Sequence, residues 1–350
     1  MTLVADLVAL FKKQGLLALF LSVWMVAGCQ REAQIHTLAG ATMGTTWSVK
    51  LVGLPRGSDL PAVQRDIQEL LESINYQMST YREDSEISRF NAAEPGTWVD
   101  ISPDFVRVVD EAMVLAALTE GAYDPTIGPL VNLWGFGAAP MTLTLPDQQA
   151  LDNVREHIGY QRLQLDLAQG RLFQAGGTYL DLSSVAKGYA VDKLADYLLV
   201  RGVENFLVEV GGELRALGQK PGGQSWRVAI ERPVAGVREA ETVIEVEGMA
   251  MATSGDYRNF FEADGRRLSH LIDPRTARPV EHQTGSVTVL SERCSTADAW
   301  ATALSVLGSE AGMRIAEQQG LAVLFLDRTG DGIEERYSSS FQAILAGGKQ

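Results

Sequence analysis

Apolar residues recur every three or four positions in "LPAVQRDIQELLESINYQMS", at Val63, Ile67, Leu70, Leu71 and Ile74. This spacing predicts a helix with one buried face. A second helix is predicted from Pro103 through "DFVRVVDEAMVLAALTEG", with Ser102 as its cap and Pro103 at the first position, where no amide donor is required. Pro146–Ile158 reads as a third. "SSVAKGYAVDKLADYLLVRG" keeps helical spacing until Gly202 stops it, and two more helices are expected at about 296–307 and 309–319.

Elsewhere the pattern changes. "TMGTTWSVKLVG" alternates as a strand and ends at the turn "GLPRGSD", and "NFLVEVGG" reads as a buried strand closed by two glycines. Further short strands are expected at "RLQLDL", "RLFQA", "TYLDLS", "WRVAIER", "TVIEVEG", "RNFFEAD", "GSVTVLS" and "LAVLFLD". Strands and helices intermixed without a regular βαβ alternation predict an α+β fold: mixed, largely antiparallel sheets with packed helices. No internal repeat or low-complexity segment is present.

The N-terminal segment changes the picture of location. Lys12 and Lys13 precede the apolar run "GLLALFLSVWMVAGC", which is too short for a membrane span and reads as a signal sequence. Ala27 and Gly28 directly before Cys29 resemble a bacterial lipobox, in which cleavage leaves the cysteine acylated; an ordinary signal peptide or a short anchor helix is the alternative. The expectation is therefore a lipoprotein signal peptide over 1–28, a tether over 29–39 and one folded domain over 40–340. Lipid-anchored localisation on the periplasmic face of a bacterial inner membrane goes with it. A formal charge of −14 argues against nucleic acid, whose phosphates need a basic surface. With Cys29 lipidated, Cys294 would be the one thiol left, so no internal disulfide forms and the fold rests on a core that 46% hydrophobic residues can supply.

Several stretches carry candidate chemistry. In "CSTADAWATAL", Asp298 and Thr302 stand four residues apart on a predicted helix, so their oxygens can converge on one point. A hard cation is one candidate for that point; the alternative is a purely local role, with Thr302 bonded to its own helix and Asp298 beside the first turn. "DLSSVAKGYAVDKL" places Asp181, Ser184 and Lys187 around a helix start, where free amides and a lysine suit a phosphate. "GAYDPTIGPLVNLWGFG" has the glycine, proline and aromatic content of a rigid loop around a planar ligand. "STYREDSEISRFN" reads as a polar loop around Tyr81, and "MATSGDYRNFF" with "LSHLIDPRTARPV" brings Thr253, Ser254, Tyr257, Arg258, His270 and Asp273 into polar turns.

Taken in order, "MGTTW", "STYREDSEISRFN", "YDPTIGPLVNLWGFG", "DLSSVAKGYAVDKL", "VEVGGELRALG", "ATSGDYRNF", "SHLIDPRT" and "ADAWATAL" resemble the ApbE family of FAD:protein FMN transferases, from about Gly40 to Gly320. The resemblance implies an ApbE-like fold and a magnesium-dependent enzyme that passes the FMN moiety of FAD to a threonine or serine hydroxyl of a target flavoprotein and releases AMP. Such targets include subunits of sodium-pumping quinone reductases. It further implies that Met43, Tyr81, Ala122, Tyr123, Asp124, Asp181, Lys187, Leu271 and Ile272 bind FAD and that Ser184, Asp298 and Thr302 hold Mg2+. The acceptor hydroxyl needs a base, for which His270 and Asp273 are the candidates. Ala277 follows the threonine of "DPRT" where the family commonly has glycine. Two other readings share the site: an Mg-dependent FAD pyrophosphatase giving FMN and AMP, and a lipid-anchored FAD-binding protein without turnover.

Overall fold

Eight strands form one sheet in which every neighbour is antiparallel and the spatial order follows the chain. They are β1 (Ile35–Thr42), β2 (Thr45–Val52), β3 (Phe206–Val210), β4 (Glu213–Leu217), β5 (Met249–Gly255), β6 (Thr284–Ser291), β7 (Ala322–Thr329) and β8 (Gly332–Tyr337). The computed structural model describes residues 34–137, 145–234, 236, 239–256, 260–263, 266–330 and 332–347. The signal segment, Cys29, Tyr257 and Arg258 lie outside them. Sheet and helices together give the expected α+β class.

Helices are inserted between consecutive strands. The principal ones are α1 (Leu60–Met78), α2 (Pro103–Leu118), α3 (Ala186–Val200) and α4 (Cys294–Gln319). Each follows from its sequence. Asp59 caps α1 by accepting from the Ala62 amide at 2.8 Å, and Ser102 caps α2. The two helices expected at 296–307 and 309–319 form one run broken by Gly308, whose φ of 74° and ψ of 169° interrupt the helical path.

The strand period of two divides the sheet into two buried faces. Val49 and Leu51 of β2, Phe206 and Val208 of β3, Ala250 of β5 and Val287 of β6 face α1–α4 and form the larger core. Leu214, Met251, Leu290 and Leu324 face the opposite side, beneath the hairpin Trp226–Glu231/Ala240–Val246 and the helix Ser339–Gly347.

Several expectations need correction. The single N-terminal strand is a hairpin: Met43 and Gly44 take left-handed φ of 48° and 70°, which reverses the chain, and β1 pairs along its length with β2. Residues 35–39 are therefore sheet rather than tether. At the other end the helix Ser339–Gly347 buries Phe341, so the folded part extends beyond residue 340. "TYLDLS" alternates like a strand but joins no sheet, because both backbone groups of Leu180 are taken by the Asn91 side chain, at 2.7 and 3.0 Å. Finally, "STYREDSEISRFN" is not wholly a loop: Ser85 caps a short helix, Glu86–Asn91, that buries Ile87 and Phe90.

Candidate active site

A cavity of about 490 Å³ opens where the end of α1, the start of α3, the β3–β4 turn, the end of β5 and the first turns of α4 converge. Twelve of its lining residues come from the expected set, ten of them being Tyr81, Ala122, Tyr123, Asp124, Asp181, Ser184, Lys187, Leu271, Asp298 and Thr302. Ile272 and His270 also line it. Asp298 and Thr302 thus face the same space from one helix, and Tyr81, 71% exposed, stands at the rim.

Two expected residues lie elsewhere. Met43 occupies the β1–β2 turn and packs against the larger core rather than lining the cavity. Asp273 is also outside the lining; its carboxylate accepts from Arg275 Nε at 2.9 Å and Nη2 at 2.8 Å, which ties up both oxygens in a local ion pair. Its place as a base in the cavity is thereby lost to geometry.

The polar centre is built from α3, α4 and β4. Lys187 Nζ lies 3.3 Å from Glu213 Oε1 and 3.6 Å from Asp298 Oδ1. Both carboxylates are nearly enclosed, Asp298 at 4% exposure and Glu213 at 5%. Burial works against the lysine charge, but the Asp298 and Glu213 carboxylates outweigh it and hold the ammonium well above the ordinary lysine range. Burial pushes the Glu213 carboxyl up to about 7 against the pull of Lys187, and it raises Asp298 as well. Burial is the main reason both hold protons more tightly than usual, and neighbouring carboxylates, Asp298 beside Glu213 and Glu111 near Asp298, add to it. Among the described residues Glu213 Oε2 has no hydrogen-bond partner.

Helix geometry aims these groups. The Gly188 amide, an orphan donor of the first turn of α3, donates to Asp298 Oδ2 at 2.9 Å. Glycine is required there, since a Cβ would come within 2.7 Å of Asp298 Cβ and collide with the Cys294 carbonyl. Ser184 Oγ donates to the Tyr123 hydroxyl at 2.9 Å. Asp124 acts inside its own loop: it accepts from the Thr126 amide and hydroxyl at 2.8 and 2.6 Å and from the Tyr160 amide at 2.9 Å. Asp181 folds back on the Ser183 amide at 2.9 Å, which shapes the approach to α3. His270 stands edge-on to Phe136 with ring centres 6.3 Å apart.

Such a centre suits a polyanionic substrate accompanied by a cation. Among the described residues no three His, Cys, Asp or Glu side chains converge as a metal cluster, so a cation here would rest on one carboxylate with hydroxyl, main-chain and substrate oxygens. That set matches a hard ion that keeps part of its shell from water or phosphate. The position of the Lys187 ammonium beside Asp298 marks the spot as one that attracts positive charge. Glu213 is the centre's member that sequence reasoning missed. Its signal was a carboxylate at an otherwise apolar strand start, directly after Gly211 and Gly212.

Comparison with known proteins bears on this arrangement. The model of the ApbE family matches residues 43–325. The FAD:protein FMN transferase of Vibrio cholerae is 45% identical over 327 residues, covering 93% of this chain and 97% of the relative. The solved structure of the flavin transferase ApbE from Vibrio cholerae superposes with a TM-score of 0.83 at 45% identity, over 89% of this chain and 100% of that one. The apo flavinyl transferase ApbE of Pseudomonas stutzeri gives 0.84 at 39% identity, over 90% and 98%.

Proposed function

The chain belongs to the ApbE family, and from that premise we propose that it is a magnesium-dependent FAD:protein FMN transferase that moves the FMN moiety of FAD onto a threonine or serine hydroxyl of a target flavoprotein and releases AMP. The observation that carries this reading is the shared cavity of Asp298, Thr302 and Lys187, where a carboxylate, a hydroxyl and an ammonium face one space large enough for an extended ligand.

In this reading the acceptor oxygen attacks the phosphorus of the FMN half, the bond from that phosphorus to the bridging oxygen breaks, and AMP departs with the bridge. Asp298 and Thr302, with Ser184, hold the cation. The Ser184 hydroxyl is engaged by Tyr123, which favours its main-chain carbonyl as the donor. When bound, Mg2+ neutralises charge that develops on the leaving phosphate. Lys187, already charged and partly enclosed, offsets the remaining phosphate charge, so electrostatic placement rather than covalent work dominates. His270, which also lines the cavity, accepts the proton of the acceptor hydroxyl, a role for which an imidazole is suited near neutral pH. Tyr81, Leu271 and Ile272 offer apolar surface to the flavin.

The lipid anchor at Cys29 belongs to this proposal too. It would keep the enzyme on the periplasmic face of the inner membrane, beside acceptors such as a subunit of a sodium-pumping quinone reductase. Among the described residues no helix is long and apolar enough to cross a membrane.

Incubating the protein with FAD, Mg2+ and a target flavoprotein domain tests the reaction. Denaturing gels should show flavin fluorescence on the target together with equimolar AMP. AMP and free FMN without a labelled target would make the protein a pyrophosphatase, and no AMP at all would leave only flavin binding.

A further inference from the structure

Helix α4 has no capping side chain of its own: Arg293 sits at its N-cap position and makes no cap hydrogen bond. The cap comes from another helix. Asp192 of α3, fully buried, accepts from the Cys294 amide through Oδ1 at 3.0 Å and from the Ser295 amide through Oδ2 at 3.0 Å. These are two of the donors that the first turn leaves unpaired, and a carboxylate there also meets the positive end of the helix dipole.

The charge of Asp192 is compensated. Arg215 Nη1 lies 3.1 Å from Oδ1 and Arg293 Nη2 3.4 Å from Oδ2. Arg215 sits two residues after Glu213 on β4, so both side chains leave the strand on the same face. Glu213 meets Lys187 and Arg215 meets Asp192, which ties β4 to α3 at two successive points.

The bond in the reverse direction is the one already described, from the Gly188 amide of α3 to Asp298 of α4. Gly188 and Asp192 are one turn apart on α3, as Cys294 and Asp298 are on α4. Each helix therefore supplies a carboxylate to amides of the other's first turns. The pair is fixed against sliding along either axis, since a shift would break both contacts together.

From this reciprocal stitch we infer that Asp192 is a positioning residue for the cation site: it sets the axial place of the first turn of α4 and thereby where Asp298 and Thr302 present their oxygens. Asp192 does not line the cavity and touches no reacting atom. The inference rests on the cation-dependent reading above.

Mn2+ binding to the FAD-loaded protein, followed by electron paramagnetic resonance, tests it directly. For Asp192→Asn the dissociation constant should rise about 10-fold or more, the range typical of partners that orient metal ligands. FAD affinity measured in excess chelator should stay within about twofold, and in Mg2+ titrations the half-activation point should move up by a similar factor while the rate at saturating Mg2+ is largely kept. A folded variant whose Mn2+ affinity equals that of the parent would overturn the inference, as would a lower maximal rate at an unchanged half-activation point, which is the mark of mere destabilisation. Should Asp192→Asn not fold, Arg215→Lys serves instead. It keeps the charge but loses the guanidinium geometry that holds Asp192, and a few-fold loss of Mn2+ affinity supports the inference while no loss refutes it. If the parent itself binds no Mn2+, the cation-dependent reading fails rather than the role of Asp192.

Discussion

Lys187 Nζ and Glu213 Oε1 stand 3.3 Å apart in the lining of the cavity, one from a helix start and the other from a strand start 26 residues further along the chain. Burial pushes the Glu213 carboxyl up to about 7 from an ordinary 4.5, so between these values the folded chain holds a proton that the unfolded chain releases. The resulting stabilisation is complete below about 4.5 and disappears as pH rises through about 7. Melting temperatures of the parent should therefore fall more steeply between about pH 5 and pH 8 than those of Glu213→Gln, whose amide does not titrate. Parallel curves would mean that Glu213 is ionised throughout.

His270 is assigned the proton of the acceptor hydroxyl. His270→Asn should lower the transfer rate by roughly 10²–10⁴-fold at neutral pH. A rate matching that of the parent would exclude it.

Ala277 takes a left-handed φ of 61°, the conformation that glycine adopts freely, and its carbonyl accepts from Trp134 Nε1 at 3.0 Å. The strain of a Cβ in that region is about 1–2 kcal/mol, against about 0.8 kcal/mol for the buried methyl that glycine would give up. Ala277→Gly should consequently stabilise the fold by roughly 0.5 kcal/mol, seen as a higher urea midpoint at an unchanged slope. A lower midpoint would show that the packing of the methyl outweighs the strain.

Much of the architecture was legible because one face of each long element is polar. In α1, buried Val63, Ile67, Leu71 and Ile74 alternate with exposed positions, and that contrast is visible in one dimension. "TYLDLS" carried an equally good strand pattern but was misread, since the Asn91 amide takes the place of a neighbouring strand and a side-chain partner leaves no trace in periodicity. The hairpin at Met43 was hidden for a related reason: Met is an uncommon residue at positive φ. In the site, helical spacing allowed Asp298 and Thr302 to converge but left a shared cation and purely local roles both open until the family resemblance was added, whereas Glu213 acquires its role through a lysine that only the packing of α3 on β4 brings near. Asp273 shows the converse. A polar residue in a promising turn was already satisfied by Arg275 two positions on.

In the proposed reaction Asp298 and Thr302 grip the cation that makes the FAD diphosphate cleavable. AMP release from FAD by Asp298→Ala at saturating Mg2+ measures it most directly. A fall of about 100-fold or more is expected, with FAD still bound in the presence of a chelator. AMP release undiminished from that of the parent would contradict it.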